Sequence, residues 1–246
     1  MLNFLRKIRR KEMNGKYLKY AIGEIVLVVI GILIALTINN WNEQRKEHKK
    51  SLVFHQRINE DLNEMVKSSE NLSNRYSGIL EAVNVTIAAL ERGKIQNQAQ
   101  QEQIDYAMIW FSRSTYQLPN LLTYEEMKSS GDLSLIYDVD LRKELANLNG
   151  SLLAVEKILD RNSYVIEDDF RVFSKYLRSH ATTADLEVTY NYDFDKMAQD
   201  EEFINTFSRL AVQWRSATFF INQINSVATK LQKQLIELNP EYAQLP

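Results

Sequence analysis

The sequence predicts an all-α protein in which one N-terminal transmembrane helix continues into an elongated antiparallel helical bundle or coiled coil of about four helices. Three observations support this prediction. The chain of 246 residues contains only 7 Gly and 3 Pro, so turns are few and helices long. One apolar stretch lies near the N-terminus. Three later segments repeat apolar residues every three or four positions, which is the period of an amphipathic helix.

The N-terminal apolar stretch, residues 20–41, has the length and composition of a membrane span. Positions 25–38 hold no charged side chain, and eleven of these fourteen are Ile, Val or Leu. The eleven favour insertion by about 3–7 kcal/mol, which exceeds the roughly 2.5–3.5 kcal/mol cost of one acid, Glu24, at mid-membrane. Tyr20 and Trp41 bracket a helix of about 31 Å, close to the hydrocarbon thickness, and are predicted to anchor it at the two interfaces.

Two other interpretations of the apolar stretch were weighed. A cleaved signal peptide also has a basic start and an apolar middle. Its cleavage site has a small residue on each side of one variable residue, and Ala35-Leu36-Thr37 matches this pattern poorly. A buried core helix is disfavoured by the seven Lys and Arg side chains that precede the stretch. We therefore expect an uncleaved anchor.

The charge distribution predicts the orientation of this anchor. Residues 1–19 carry seven Lys and Arg, whereas four follow the stretch closely, and the more basic side of a span stays in the cytoplasm. Residues 1–16 are then expected to be cytoplasmic, 17–41 to cross the membrane and 42–246 to form a domain on the far side, in a periplasm or outside the cell. Five basic residues alternate with apolar ones and predict either an amphipathic helix on the lipid surface or a frayed basic tail: Arg6, Lys7, Arg9, Arg10 and Lys11.

The large domain is acidic. Residues 42–246 hold 23 basic and 30 acidic side chains, a net charge of −7. Phosphate contacts need a basic face, so nucleic acid is not expected as a partner. The sequence has no Cys, which excludes disulfides and thiolate metal sites.

Small and acidic residues within the apolar stretch are candidates for contact with a partner helix. Gly23, Gly31 and Ala35 are separated by eight and four residues, so they lie on one face of the helix. They form a stripe of small side chains that permits close helix packing. The stripe indicates either dimerisation or docking of another membrane protein, or a chance arrangement, since such small-residue pairs are common. Glu24 either pairs with a basic residue of another subunit or reaches the nearby interface.

Beyond the span, the apolar period predicts helices at about 42–92, 102–117, 124–130, 140–178 and 196–238. Core stripes are expected within 55–90, 141–177 and 203–238. Glycine and proline predict helix ends, and short polar side chains predict N-caps: Gly93, Pro119 and Gly131 for ends, and Thr123, Asp138 or Asp140, and Asp200 for caps. Two polar residues on the stripes, Ser69 and Asn162, are predicted to fix the register between helices.

Residues 185–194 alternate apolar and polar side chains, which is strand periodicity. Because no partner strand is evident, we expect an extended loop that lays its aromatic residues on the helices. The alternative is pairing with the same segment of a second copy.

No constellation of residues predicts catalysis, a metal or another cofactor. None of the three histidines, His48, His55 and His180, has a Glu three residues before it, so the di-iron pattern of helical bundles is missing. Phosphate-binding glycine loops and nucleophile-elbow motifs are also missing. His55 lies on a core stripe and is expected to be a seam residue.

Two segments of the sequence are similar to a known family. "YAIGEIVLVVIGILIALTINNWNEQRK" (residues 20–46) resembles the N-terminal signature of an uncharacterised family of bacterial single-span membrane proteins. "TYEEMKSSGDLSLI" (residues 123–136) resembles a second block of that family. The resemblance implies an inner-membrane protein with a helical extracytoplasmic domain. It implies no activity and no functional residues.

These observations favour a non-enzymatic helical scaffold or interaction protein anchored in the bacterial inner membrane. Its expected partners are membrane lipids, other membrane or periplasmic proteins, and a second copy of the chain. The alternative is an extracytoplasmic ligand sensor that signals through a partner protein, since helical domains can bind small ligands between helices.

Overall fold

The structure is a computed structural model that describes residues 2–113, 119–181 and 188–238. Side chains at 2–19, 162, 166–168, 181, 188 and 189 lie outside the description. The chain divides into two compact units, residues 1–53 and 54–246, and each is described by itself.

The first helix, α1 (Leu2–Arg92), begins in the first unit and ends in the second. Every residue from 20 to 50 is exposed. The helix ends where the sequence predicts, because Gly93 adopts a φ of +74° and its N–H donates to the Leu90 carbonyl at 3.0 Å. Glycine tolerates this left-handed conformation, which other residues rarely adopt.

The second unit is mainly helical, as predicted. It contains, after α1, the helices α2 (Gln98–Trp110), α3 (Leu122–Ser130), α4 (Val139–Phe173), α5 (Phe194–Met197) and α6 (Glu201–Leu238), with a 3₁₀ turn at Asp132–Leu135. A two-stranded antiparallel hairpin of β1 (Leu177–Ala181) and β2 (Val188–Tyr192) follows α4. The buried side chains of these elements and of α1 form one hydrophobic core.

Helix α6 is tied to both of the other long helices of this core. Two ion pairs join it to α4: Lys230 Nζ to Glu144 Oε1 at 2.8 Å and Arg209 Nη2 to Asp169 Oδ1 at 2.9 Å. A hydrogen bond joins it to α1, since Asn225 Nδ2 donates to Ser69 Oγ at 3.0 Å. In the two ion pairs the residue number rises on α6 as it falls on α4, so these helices run in opposite directions.

The three predicted core stripes are largely buried where the structure describes their side chains; Ile166, a predicted stripe residue of α4, lies outside that description. On α1, Ile58, Leu62 and Ile79 are 0% exposed. The buried residues of the α4 stripe, which begins at Leu141, and those of the α6 stripe have similarly low exposed fractions. The prediction that Leu238, at the end of α6, belongs to the core is wrong, because this side chain is 43% exposed.

Aromatic rings fill the part of the core near the end of α4. Four phenylalanine rings from three segments lie with neighbouring centroids 4.7–5.9 Å apart: Phe111, Phe173, Phe203 and Phe207. Trp214 completes this cluster, because its indole Nε1 donates to the Phe111 carbonyl at 3.2 Å. Buried aromatic N–H groups need such a partner.

Several predicted helix boundaries are wrong. The helix predicted at 102–117 begins at Gln98, because the Asn97 side chain caps it by accepting from Gln100 N at 2.9 Å, and it ends at Trp110. The helix predicted at 140–178 ends at Phe173, where the chain turns into the hairpin. The helix predicted at 196–238 is two helices, α5 and α6. Asp200 caps α6, as predicted, by accepting from Phe203 N at 3.2 Å.

The N-cap predicted at Thr123 is also wrong. Helix α3 begins at Leu122, so Thr123 lies inside its first turn. The Thr123 N–H donates instead to the Asp61 carboxylate of α1 at 2.7 Å. A side chain 62 residues earlier in the chain thus satisfies the helix start. Of the two candidates for α4, Asp138 is the cap, because it accepts from Leu141 N at 2.7 Å.

The prediction that the alternating segment has no partner strand within the chain is wrong. β2 pairs with β1, with Leu177 opposite Tyr192 and Ser179 opposite Tyr190. This pairing within the chain takes the place of the predicted alternative, in which the segment pairs with a second copy. Tyr192 and Phe194 do pack against the helical core, as expected. The predicted residues 185–187 lie outside the described residues.

Candidate functional site

The apolar stretch, residues 20–41, exposes large apolar side chains along its whole length. α1 is long and apolar enough there to cross a membrane, and none of that window is buried. Its large apolar side chains are 47–78% exposed. Soluble proteins rarely expose a contiguous apolar surface of this size, which marks a contact with a membrane or a partner.

The candidate residues of this stretch lie on an open helix surface. Tyr20 is 78% and Trp41 60% exposed, and the Arg45 guanidinium lies 5.8 Å from the Trp41 ring centroid. A Cβ added at Gly23 or Gly31 would meet nothing within 4 Å. Glu24 and Ala35 are likewise exposed. The partner-contact role of these residues therefore stays a prediction.

The basic residues expected at a lipid surface lie at the start of α1: Arg6, Lys7, Arg9, Arg10 and Lys11. Their side chains lie outside the description. Their membrane-surface role also stays a prediction.

The predicted seam residue Ser69 is fully buried in the second unit. Its hydroxyl donates to the Met65 carbonyl at 2.6 Å and accepts from Asn225 Nδ2 at 3.0 Å, and the same amide nitrogen donates to the Val66 carbonyl at 3.0 Å. Asn225 was not predicted, although its position beside Ile224 on the stripe of α6 is a usable signal. The side chain of Asn162 lies outside the description, so its seam role is untested.

An apolar groove lies between α4 and α6, with a volume of about 480 Å³. We call it the α4–α6 groove and define it by its lining residues: Leu148, Ser151, Ala154, Val155, Ile158, Phe219, Phe220, Gln223, Ile224 and Val227. Phe219 is 57% exposed at its edge, and its ring lies 5.5 Å from that of Phe220. The sequence did not predict this groove.

A second surface places two guanidinium groups against one indole. The Arg75 guanidinium lies 4.8 Å and that of Arg113 5.0 Å from the Trp110 ring centroid, and the Tyr106 ring is 6.2 Å away. Within the described part of the chain, neither arginine forms an ion pair with an acid. We call this surface the Trp110 patch.

Polar contacts fix the hairpin and the start of α6. The Tyr192 hydroxyl donates to Asp105 Oδ1 at 2.5 Å, and burial together with this bond raises the pKa of Tyr192. The Tyr176 hydroxyl donates to Asp200 Oδ2 at 2.7 Å, and this bond lowers the pKa of Asp200. Both hydroxyls hold neighbouring elements together, which is a structural role.

The three histidines lie apart from one another in the sequence and differ in burial. His48 and His180 are exposed, whereas His55 is buried on the core stripe, as expected. Among the described residues, no group of three His, Asp or Glu side chains is arranged to hold a metal ion.

These features define a mainly helical protein with one N-terminal helix long and apolar enough to span a membrane and a second unit built on its own core. The chain belongs to the Family of unknown function (DUF6090), whose model matches residues 24–170. The expectation of an uncharacterised family is thereby confirmed. No curated protein and no solved structure matches the chain. The matched range includes most of the apolar stretch and ends within α4, before the hairpin and α6.

Proposed function

We propose that this protein is a membrane-anchored helical scaffold or interaction protein without catalytic activity. The exposed apolar stretch of α1 carries the proposal, because insertion in a bilayer would remove all of its faces from water at once. The basic start of the chain favours an N-terminus in the cytoplasm of a bacterium and a C-terminal domain in the periplasm.

The second unit has features expected of a scaffold. Helices α4 and α6 run in opposite directions and are joined by two ion pairs, and the half-buried Asn225 amide of α6 bonds to Ser69 of α1, which supports an antiparallel bundle. The Trp110 patch combines Trp, Tyr and Arg, the residue types that dominate binding energy at protein interfaces. Other membrane or periplasmic proteins, or a second copy of the chain, are the proposed partners.

A matched pair of leucine variants tests the membrane anchor. Leu33 in the apolar stretch is 57% exposed and Leu153 on α4 is 54% exposed. Leu33→Arg places a charge at the centre of the span, at a cost of about 2.5–3.5 kcal/mol. We expect Leu33→Arg to move a large fraction of the protein from carbonate-washed membranes to the soluble fraction, and Leu153→Arg to leave it in the membranes.

Two outcomes would contradict the anchor. Equal sedimentation of both variants would show that residues 20–41 do not hold the protein in the bilayer. Protection of the large domain from protease added to spheroplasts would reverse the proposed orientation. Chemical crosslinking in intact cells, followed by purification in mild detergent, then tests the scaffold role through the proteins captured and their stoichiometry.

The α4–α6 groove favours a second candidate function, in which the domain senses a ligand. A concave apolar site of about 480 Å³ lies within the range of ligand pockets. In this second function the domain signals through a partner protein. A small molecule that raises the melting temperature of the full chain supports sensing, whereas stoichiometric capture of a protein with no such shift supports the scaffold.

A further inference from the structure

Ion pairs between α4 and α6 flank the α4–α6 groove at both of its ends. Lys230 pairs with Glu144 at one end and Arg209 with Asp169 at the other, so both helices are fixed on either side of it. Between these pairs, α4 presents the small side chains of Ser151 and Ala154, both exposed. Small residues between fixed points leave a gap that larger ones would fill.

The dimensions of the groove limit what can occupy it. The lining residues of α6, at 219–227, span about 12 Å of helix. A concave site of this length with a volume of about 480 Å³ suits a small molecule such as a hydrocarbon chain or a ring system.

The chemistry of the lining limits the occupant further. None of the ten lining residues is ionisable, and the floor is formed by buried side chains of Leu148, Val155 and Ile224. A charged group there would lose hydration without a counter-charge. Two polar groups, the Ser151 hydroxyl and the Gln223 amide, have no hydrogen-bond partner among the described residues and are free to bind a polar atom of a ligand.

We propose that the α4–α6 groove binds a small, uncharged and largely apolar molecule that carries one hydroxyl or carbonyl group. The apolar part lies along Val155, Phe220 and Ile224, and the polar group bonds to Ser151 or Gln223. The proposal rests on the second candidate function and names its ligand class. It does not depend on the scaffold role.

The absence of Cys from the sequence allows a direct test on the full chain in lipid nanodiscs. Ser151→Cys places the sole thiol in the groove, and Ser226→Cys places it at an exposed position of α6 outside the groove. Each thiol is reacted with two probes, the apolar N-phenylmaleimide and the polar N-(2-carboxyethyl)maleimide. The ratio of the two rates at one site cancels the intrinsic reactivity of that thiol.

We expect this ratio to be about tenfold higher at Ser151→Cys than at Ser226→Cys, because burying the phenyl ring concentrates that probe in the groove. Adding Ala154→Phe to Ser151→Cys should fill the groove and abolish the difference. Adding Leu153→Phe, at an exposed neighbour that does not line the groove, should leave the difference unchanged.

Three results would overturn the proposal. Equal ratios at the two sites would show that the gap holds only water. A ratio that survives Ala154→Phe would place the probe elsewhere. A ratio that falls as protein concentration rises would assign the groove to a second copy of the chain. The result of this labelling experiment does not depend on the membrane anchor. The anchor is tested by Leu33→Arg in the first unit, whereas both thiols lie in the second unit.

Discussion

Helix α1 contains two regions whose apolar side chains have opposite environments. In the apolar stretch, Ile30 is 50% and Leu33 57% exposed, whereas Ile58 and Leu62 further along the helix are 0% exposed. The difference follows from pattern: apolar residues surround the helix in the first region but form a single stripe in the second. A single stripe is buried by packing on one side, whereas a helix that is apolar on every side is typical of a membrane span or of the core of a large protein.

The largest effect that would test this comparison is the loss of one leucine from each region. Leu62→Ala should cost about 2–5 kcal/mol of the free energy of unfolding, because it leaves a cavity in the core. Leu33→Ala should change the same quantity by less than about 0.5 kcal/mol. Denaturant unfolding followed by the fluorescence of buried Trp214 measures both. Equal losses would show that the apolar stretch is part of the folded core.

A second pair of variants asks whether burial decides the value of polar contacts too. Asn225→Ala removes the donor shared by the buried Ser69 hydroxyl and the Val66 carbonyl and should cost about 1–3 kcal/mol of stability. Asn222→Ala removes an exposed bond from Ser73 and should cost less than about 0.5 kcal/mol. The same denaturant assay applies. A smaller loss for Asn225→Ala than for Asn222→Ala would refute the seam role of Ser69.

The same two patterns explain how much of the molecule the sequence could predict. A period of three to four, summed over many turns, is a strong signal, so the core stripes of α1, α4 and α6 were predicted almost residue by residue. The ends at Gly93 and Gly131 were predictable because both adopt a positive φ that glycine favours. The apolar stretch was equally plain from its composition.

Features that depend on distant residues were not predictable from local pattern. The start of α3 is stabilised by the Asp61 carboxylate, which accepts a hydrogen bond from the Thr123 N–H. The residues near Thr123 in the sequence do not indicate this contact. Strand β1 reads "LRSHA", which has no clear alternation, so the helix predicted at 140–178 includes its first two residues and the sequence does not predict the strand. The α4–α6 groove lies between two helices, and the small residues of α4 that line it, Ser151 and Ala154, do not by themselves indicate a groove.

The smallest of these effects concerns ionisation in the buried stripe. Burial raises the pKa of Tyr76 to about 12, against about 10 for an ordinary tyrosine. The folded state therefore keeps its proton at a pH where the unfolded state loses it. The stability gained from burying the neutral phenol is fully present below pH 10 and is lost as the pH rises from about 10 to 12.

Tyr76→Phe removes this ionisation and should make the protein less sensitive to alkali. Between pH 8 and 11, wild type should lose about 1 kcal/mol more of its free energy of unfolding than Tyr76→Phe does, as measured by urea titration. Tyr137→Phe is the matched control, since that side chain is 59% exposed, and it should lose stability as wild type does. Identical alkaline losses in all three proteins would mean that water reaches the Tyr76 hydroxyl, and the stripe would then be less well sealed at this position than its packing against Trp214 indicates.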